Sequence, residues 1–287
     1  MSNTIHTKQN KDENQRLIVT QHFVYRSAKH ITLVLFLMSV IIPIGFNIVL
    51  ILIKNEIITT IFSFISICLV IICELLRNIL YNRKSVAAQV QQKFDVSVFE
   101  LENGFCLDDE RVNLAVEKYN DKDWKRKKNW YPDYRKLDKN KAIYYCQKEN
   151  IDWTNNLSGK YVFFLSLCFS IMLISIILNF IIVDYTISYI ISLLIIALPL
   201  LTYCYSGFSK IKNDNKSLND IQKYANTIEA LIEQKGTVEG KMLENLQWMI
   251  FYYRKNKYLI PDWFDKLFFK KIESFELNKA KKRKKNK

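Results

Sequence analysis

Four long apolar runs, each free of charged residues, constrain this chain more than any other feature. The runs are residues 31–53, 57–73, 161–183 and 187–205. Each is close to the roughly 20 residues that an α-helix needs to cross the hydrocarbon core of a bilayer. Only Lys54–Glu56 separates the first pair, and only Asp184–Thr186 the second. The pattern predicts an all-α membrane protein whose four transmembrane helices form two tight hairpins.

The distribution of positive charge predicts the orientation in the membrane. Lys and Arg are enriched on the cytoplasmic side of membrane helices. The two hairpin tips carry one of the 42 Lys and Arg residues, and all the others lie in residues 1–30, 77–160 and 206–287. The first apolar run is also too long for the core of a signal peptide. We therefore expect a multi-pass protein with both termini and the central segment in the cytoplasm.

The polar segments carry amphipathic patterns that predict an α-helical cytoplasmic domain, built jointly from the central loop and the C-terminal helices. One apolar stripe repeats every four residues from Val86 to Val98, and a second extends from Leu218 to Ile232. We expect Ser85 and Ser217 to begin new helices, and Gly236 to end the second of them.

The acidic residues from Asp108 to Glu110 fit the N-terminus of a further short helix, where negative charge is favoured. The predicted organisation is a cytoplasmic juxtamembrane helix (1–30), hairpin 1 (31–76), a cytoplasmic central segment (77–160), hairpin 2 (161–205), cytoplasmic C-terminal helices (206–278) and a basic tail (279–287). The tail is expected to touch anionic lipid headgroups.

The sequence lacks the patterns of an enzyme active site. It has three His residues, all before or at the start of the first apolar run, and no glycine-rich phosphate loop, GxSxG, HExxH or CxxC motif. We expect no catalytic residues, no metal site and no cofactor. An enzyme that acts on lipids is a remaining alternative, and only the region of Glu74 and Arg77 would suit it.

Small and polar residues share one face of the second predicted span. Such a stripe either allows helices to pack closely or lines a water-filled path, and the sequence leaves both interpretations open. On the second interpretation the pore-lining residues are Thr59, Ser63, Ser66 and Glu74. Glu74 can instead form an intrahelical pair with Arg77. Because four helices enclose little water, a conducting path would require a homo-oligomer.

Aromatic and basic residues alternate in the central segment from Trp124 to Lys136. Aromatic rings stack on nucleobases and basic side chains neutralise phosphates, so the composition suits a nucleotide. It equally suits an interfacial belt, because Trp and Tyr favour the lipid headgroup region.

Several short motifs, in order along the chain, resemble one family. They are Gln9-Asn10, Arg16-Leu17-Ile18, Tyr25–Lys29, Ala87–Asp95 with Val98-Phe99, Asn129–Pro132, Ala142 with Cys146-Gln147, Asn150 and Trp153, and Ile260–Trp263 with Glu273. With the four-span layout, they resemble the SMODS-associated four-transmembrane effectors, which are encoded beside bacterial cyclic-oligonucleotide synthases in anti-phage (CBASS) operons.

The resemblance implies a pore-forming effector of the bacterial inner membrane. A cyclic oligonucleotide made during infection would bind its cytoplasmic side, and the oligomer would then disrupt the membrane and stop the infected cell. DNA and RNA are not expected partners. The expected ligand-binding residues are Trp130, Tyr131, Arg135, Gln147, Asn150 and Trp153, with Lys125, Arg126, Lys127 and Lys128 attracting phosphates. Structural anchoring is the alternative role of Trp130 and Trp153. The alternative function is a membrane-tethered, non-conducting scaffold or sensor that binds a partner protein.

Overall fold

The computed structural model describes residues 4–53, 55–102, 107–119, 128–152, 158–182, 186–264 and 267, and these residues form helices and connections without a β-strand. The chain divides into two compact units. We call Lys29–Leu80, Asn156–Lys212 and Tyr258–Lys287 the span unit, and Met1–Ala28, Tyr81–Asn155 and Asn213–Lys257 the polar unit. The predicted all-α class is confirmed.

The helices follow the apolar runs and amphipathic stripes of the sequence. Their bounds are α1 (Ile5–Lys8), α2 (Asp12–Phe36), α3 (Ile42–Leu52), α4 (Glu56–Phe99), α5 (Asp109–Lys118), α6 (Lys139–Asp152), α7 (Ser158–Ile182), α8 (Ile187–Lys235) and α9 (Gly240–Asn256). Four helical stretches in the described chain are long and apolar enough to cross a membrane, namely Asp12–Leu52, Glu56–Phe99, Ser158–Ile181 and Ile187–Lys235. Each overlaps one of the four predicted spans.

A π-helical turn, Leu37–Ile41, joins α2 to α3 and has a local cause in Pro43. Proline has no backbone N–H, and its ring collides with the carbonyl four residues earlier, which here belongs to Ser39. Widening the helix over this turn relieves the collision while the helix continues. Ser39 is buried, and its hydroxyl lies 3.2 Å from the Cys73 thiol on α4.

The predicted helix starts at Ser85 and Ser217 are wrong, because α4 and α8 each continue through these positions without a break. No proline or glycine lies in the nine residues before either position, and the polar residues there have ordinary helix propensities, so nothing stops the preceding helix. Two other predicted boundaries are confirmed. Gly236 follows the end of α8 with a φ of 71°, and Asp108 caps α5 by accepting a hydrogen bond from the Arg111 amide at 3.2 Å.

The predicted apolar stripes form the core of the polar unit. Its buried members include Val90, Phe94 and Val98 of α4, Ile143 and Cys146 of α6, Ile221, Ala225 and Ile228 of α8, and Leu243, Leu246 and Ile250 of α9. The central segment and the C-terminal helices therefore build this core jointly, as predicted. Burial of such side chains stabilises the unit by about 1.5–3 kcal/mol each before the entropy cost of folding.

Candidate functional site

A seam of uncharged polar side chains passes through the interior of the span unit. Its buried members are Ser39, Asn47, Thr59, Ser63, Ser66, Ser175 and Asn179. The outward faces of the same helices carry exposed apolar residues such as Ile57, Phe64 and Ile181. This distribution suits a bundle surrounded by lipid, because charged groups are costly within the bilayer whereas small neutral groups can hydrogen-bond between helices.

Hydrogen bonds across the seam hold the spans together. The Asn179 amide on α7 donates to the Asn47 carbonyl on α3 at 3.3 Å, and the Tyr189 hydroxyl on α8 donates to the Asn179 side-chain oxygen at 2.9 Å. The Ser63 hydroxyl on α4 lies 3.3 Å from the Ser192 carbonyl on α8. These contacts link four helices of one chain.

The four predicted pore-lining residues separate into two groups. Thr59, Ser63 and Ser66 lie in the seam, whereas the Glu74 side chain is exposed and accepts a hydrogen bond from Arg77 at 2.7 Å. Within one chain, the seam position of the first three corresponds to close helix packing, so their role in a pore stays a prediction. Among the described residues, the Ser66 hydroxyl has no hydrogen-bond partner although it is fully buried.

Three predicted ligand-binding residues meet inside the polar unit. Tyr131 is 2 % exposed, and its hydroxyl donates to Asp95 at 2.5 Å while accepting from the Asn150 amide at 3.0 Å. Gln147 is fully buried and donates to the Leu243 carbonyl at 2.9 Å. The Tyr131 hydroxyl and the amide nitrogens of Asn150 and Gln147 are therefore engaged in internal hydrogen bonds, whereas the Gln147 side-chain oxygen has no partner among the described residues. Contact of these residues with a ligand stays a prediction.

The centre of this network is an ion pair between Asp95 on α4 and Arg254 on α9. Their charged atoms are 2.6 Å apart, and both side chains are buried. Gln247 donates to the same carboxylate at 3.0 Å. Burial is the largest single influence and works against the charge of Arg254. The attraction to Asp95 and the hydrogen bond with it, together with Tyr131 and Tyr25, nevertheless raise the pKa of that guanidinium. Burial, with a further contribution from Asp95, raises the pKa of Tyr131 well above its ordinary value.

The other predicted ligand-binding residues have different surroundings. Trp130 is half-buried and its ring meets Phe94 edge-on at 6.4 Å. Arg135 is exposed and forms two parallel contacts with Asp133, a pairing that lowers the pKa of the Asp133 carboxyl. Lys128 is exposed. Trp153, Lys125, Arg126 and Lys127 lie outside the described residues.

Sequence reasoning did not single out Asp95, Arg254 or Gln247 as a buried cluster. One signal was available, because Gln92 and Asp95 form a polar row directly beside the apolar stripe from Val90 to Val98. The partners on α9 are distant in sequence, so only the packing of α4 against α9 identifies the pair.

A cleft of about 360 Å³ opens in the polar unit and was also missed from the sequence. It is lined by Tyr81, Asn82, Ser85 and Gln89 of α4, Leu107, Asp108 and Arg111 at the start of α5, and Phe251 and Lys255 of α9. The lining combines two cations with one carboxylate, one exposed aromatic ring and three uncharged polar side chains. Its volume falls in the range of about 300–1,000 Å³ typical of small-molecule sites.

Internal contacts fix the walls of this cleft. The Gln89 side-chain oxygen accepts a hydrogen bond from the Asp108 amide at 2.7 Å, which joins the start of α5 to α4. The Lys84 ammonium donates to the carbonyls of Asn256 and Lys257 at 3.1 and 2.9 Å, which joins the end of α9 to α4. The same ammonium lies over the Tyr81 ring at 5.6 Å from its centroid. The three walls are thus held together from within the polar unit.

The described residues contain no group of three His, Cys, Asp or Glu side chains that could hold a metal ion.

The family of the chain follows from its similarity to known proteins. No curated protein matches the chain significantly, and no solved structure does. A family model described as the SMODS-associating 4TM effector domain matches residues 3–282. The chain, a multi-pass membrane protein with four apolar helices, therefore belongs to the SMODS-associating 4TM effector family.

Proposed function

We propose that this protein is a non-enzymatic, pore-forming effector of bacterial anti-phage defence. It resides in the inner membrane with both termini in the cytoplasm. A cyclic oligonucleotide from an associated synthase binds the polar unit, and an oligomer of the protein then makes the membrane permeable. The observation that carries the proposal is that one chain of this effector family combines four membrane-length helices with a folded polar unit.

The span unit supports an oligomeric rather than a monomeric pore. Its outward faces are mainly apolar, with isolated hydroxyls such as Ser166 and Ser170 of α7, and its polar seam is enclosed by the helices of the same chain. One chain therefore keeps the seam away from a shared aqueous path. In our proposal, ligand binding changes the packing of the spans so that Thr59, Ser63 and Ser66 turn toward the axis of an oligomer. The unpaired hydroxyl of Ser66 favours such a change, because it loses no hydrogen bond within the described seam.

A second candidate function is a non-conducting scaffold or sensor that binds a partner protein. The enclosed seam favours it, because Ser63 bonds to carbonyls of its own chain and so contributes to stable packing. The two functions differ in one measurable property, which is permeability.

A liposome assay tests the proposal. Protein reconstituted into dye-loaded liposomes should release dye when cyclic di-AMP, cyclic GMP–AMP or cyclic tri-AMP is added, and linear dinucleotides should have no effect. The double variant Ser63→Ala/Ser66→Ala should reduce release while the size of the assembly is unchanged, and Ser170→Ala on the exposed face of α7 should behave as wild type. No release with any cyclic di- or trinucleotide would contradict the pore and favour the scaffold.

A further inference from the structure

We infer that the cleft between α4, the start of α5 and the end of α9 binds one nucleotide unit of the messenger, with its phosphate at Arg111 and Lys255 and its base on Tyr81. The inference rests on the proposed function, since it assigns a place to the ligand whose binding that function requires. It differs from the sequence-based ligand set, none of whose members lines this cleft.

The two cations of the cleft have donors available for a phosphate. Arg111 engages Asp108 through its Nε at 3.1 Å, and in the described part of the chain its two terminal nitrogens make no hydrogen bond. Lys255 likewise has no ion-pair partner among the described residues. Guanidinium groups bind phosphate oxygens through paired hydrogen bonds, and an ammonium adds a point charge. The single carboxylate, Asp108, is already neutralised by Arg111, so a net positive charge remains.

Tyr81 provides the surface on which a base can stack. Its ring is 48 % exposed, and the buried Lys84 ammonium lies over the ring. Because Lys84 is bonded to two carbonyls at the end of α9, the ring rests on a fixed support. Bases stack on aromatic side chains in single-stranded nucleic-acid sites, and this stacking adds to their affinity.

Two buried polar side chains line the floor of the cleft. Ser85 and Gln89 are each 7 % exposed. The Gln89 amide approaches the Ser85 oxygen only at 3.5 Å, so the Ser85 hydroxyl can still donate its proton to a phosphate or ribose oxygen. Buried polar groups in a small cleft fix the orientation of a ligand and so confer specificity.

The lining favours a soluble nucleotide over a phospholipid. The apolar part of the lining consists of Leu107 and the buried ring of Phe251, and these two residues offer little surface for acyl chains. A volume of about 360 Å³ lies at the small end of the range for ligand sites. The cleft therefore accommodates one nucleotide unit, and the remainder of a cyclic oligonucleotide stays outside it.

Calorimetric titration of the full-length protein in detergent tests the assignment, with cyclic di-AMP, cyclic GMP–AMP and cyclic tri-AMP as probes. Arg111→Gln and Lys255→Gln should each raise the Kd of the bound probe by about tenfold or more, because each removes a charge-assisted hydrogen bond to the phosphate. Tyr81→Leu should raise the Kd by about tenfold, because it removes the surface on which the base stacks. Matched controls are Lys118→Gln on α5 and Lys241→Gln on α9, which remove the same charge from the same helices outside the cleft and should leave the Kd unchanged.

The outcomes separate this inference from the proposed function. If wild type binds a probe and the three cleft variants bind it equally well, the cleft assignment is wrong and the proposed function stands. If wild type binds none of the probes, the gating mechanism fails and the inference fails with it. Unchanged thermal melting of each variant without ligand shows that its folding is intact. If one of the three misfolds, Asn82→Ala provides a fourth variant, because Asn82 occupies an exposed position in the cleft.

A comparison in two lipids distinguishes a nucleotide phosphate from the phosphate of a lipid headgroup. Wild type and Arg111→Gln are melted in nanodiscs of phosphatidylglycerol and of phosphatidylcholine. We expect the variant to keep any stabilisation that phosphatidylglycerol gives. Loss of that stabilisation with an unchanged nucleotide Kd would assign the cleft to a lipid headgroup and overturn the nucleotide assignment.

Discussion

In the polar unit, the carboxylate of Asp95 is fully buried and is matched by the guanidinium of Arg254, whereas the described buried polar side chains of the span unit are all uncharged. Both units therefore hold polar groups in their interiors, but they satisfy them differently. The polar unit surrounds a charged pair with further donors, including Tyr131 and Gln247. The span unit relies on Ser, Thr, Asn and Tyr side chains that bond to backbone carbonyls or to one another.

The comparison shows how the environment selects the chemistry of a core. A buried charge is tolerated where several donors and an opposite charge compensate its lost hydration. In a bilayer, the alternative to a poor hydrogen bond is hydrocarbon rather than water, so weakly polar groups with local backbone partners are preferred. Replacing buried residues in each unit should therefore have effects of different size.

The largest effect is expected for Asp95→Ala. It leaves Arg254 buried without its carboxylate and should lower the free energy of unfolding by about 3–5 kcal/mol. Denaturant titration of full-length protein, followed by tryptophan fluorescence, measures this loss. Asp133→Ala is the matched control, because it removes an aspartate from an exposed Arg pair and should leave the denaturation midpoint unchanged. Equal effects of the two variants would show that the buried network does not stabilise the polar unit.

An intermediate effect is expected for Asn179→Leu in the span unit. The replacement removes the bond to the Asn47 carbonyl and the acceptor of the Tyr189 hydroxyl. Interhelical hydrogen bonds in membranes contribute about 0.6 kcal/mol on average and at most about 1.7 kcal/mol, so a loss in this range is expected. Unfolding in mixed micelles measures it, with Ser170→Ala at an exposed position of α7 as the control. A loss as large as that of Asp95→Ala would remove the distinction between the two cores.

The smallest effect is expected at the surface of the polar unit, where Glu100 pairs with Lys139 at 2.7 Å and with Lys8. Hydrogen bonds from Lys139 and then Lys8 lower the pKa of Glu100 from 4.5 to about 2. A depressed pKa contributes stability above the unfolded value, and this contribution is lost as the pH falls through the folded value. The contribution should therefore be present at pH 7 and disappear between pH 4.5 and about 2.

Glu100→Gln provides the test of this pH dependence. Because the Glu100 side chain is 41 % exposed, solvent screening limits the expected loss to about 0.5 kcal/mol at pH 7. Thermal melting at a series of pH values should show wild type and variant converging as the pH is lowered. A difference that grows toward low pH would contradict the assignment of the shift to these lysines.

Much of the fold was predictable because it depends on local periodicity. The four apolar runs, the stripe from Val90 to Val98, the cap at Asp108 and the end of α8 before Gly236 each follow from neighbouring residues in the chain. Whether a helix continues is less local. α4 and α8 extend past Ser85 and Ser217 because a good capping residue begins a helix only where the preceding one has stopped.

The candidate sites were less predictable, because residue type does not reveal which face of a helix is covered. Tyr131 is an aromatic residue of the kind that stacks on a base, yet it is buried and its hydroxyl donates a hydrogen bond to Asp95. Arg135 is a basic residue that could bind a phosphate, yet its guanidinium is paired with the nearby Asp133 carboxylate on the surface. The cleft takes Tyr81, Arg111 and Lys255 from three separate helical segments, and no spacing in the sequence relates them.

The sequence by itself determined the all-α class, the four spans and the membership of the family, since these depend on the length, hydropathy and order of segments. The tertiary structure alone decided where the polar groups go. It placed Ser63 and Ser66 in the interior of the span unit, paired Asp95 with Arg254, and formed the cleft beside Tyr81. The physical reason is that burial and pairing are properties of contacts between distant segments, and the chain creates those contacts only when its helices pack.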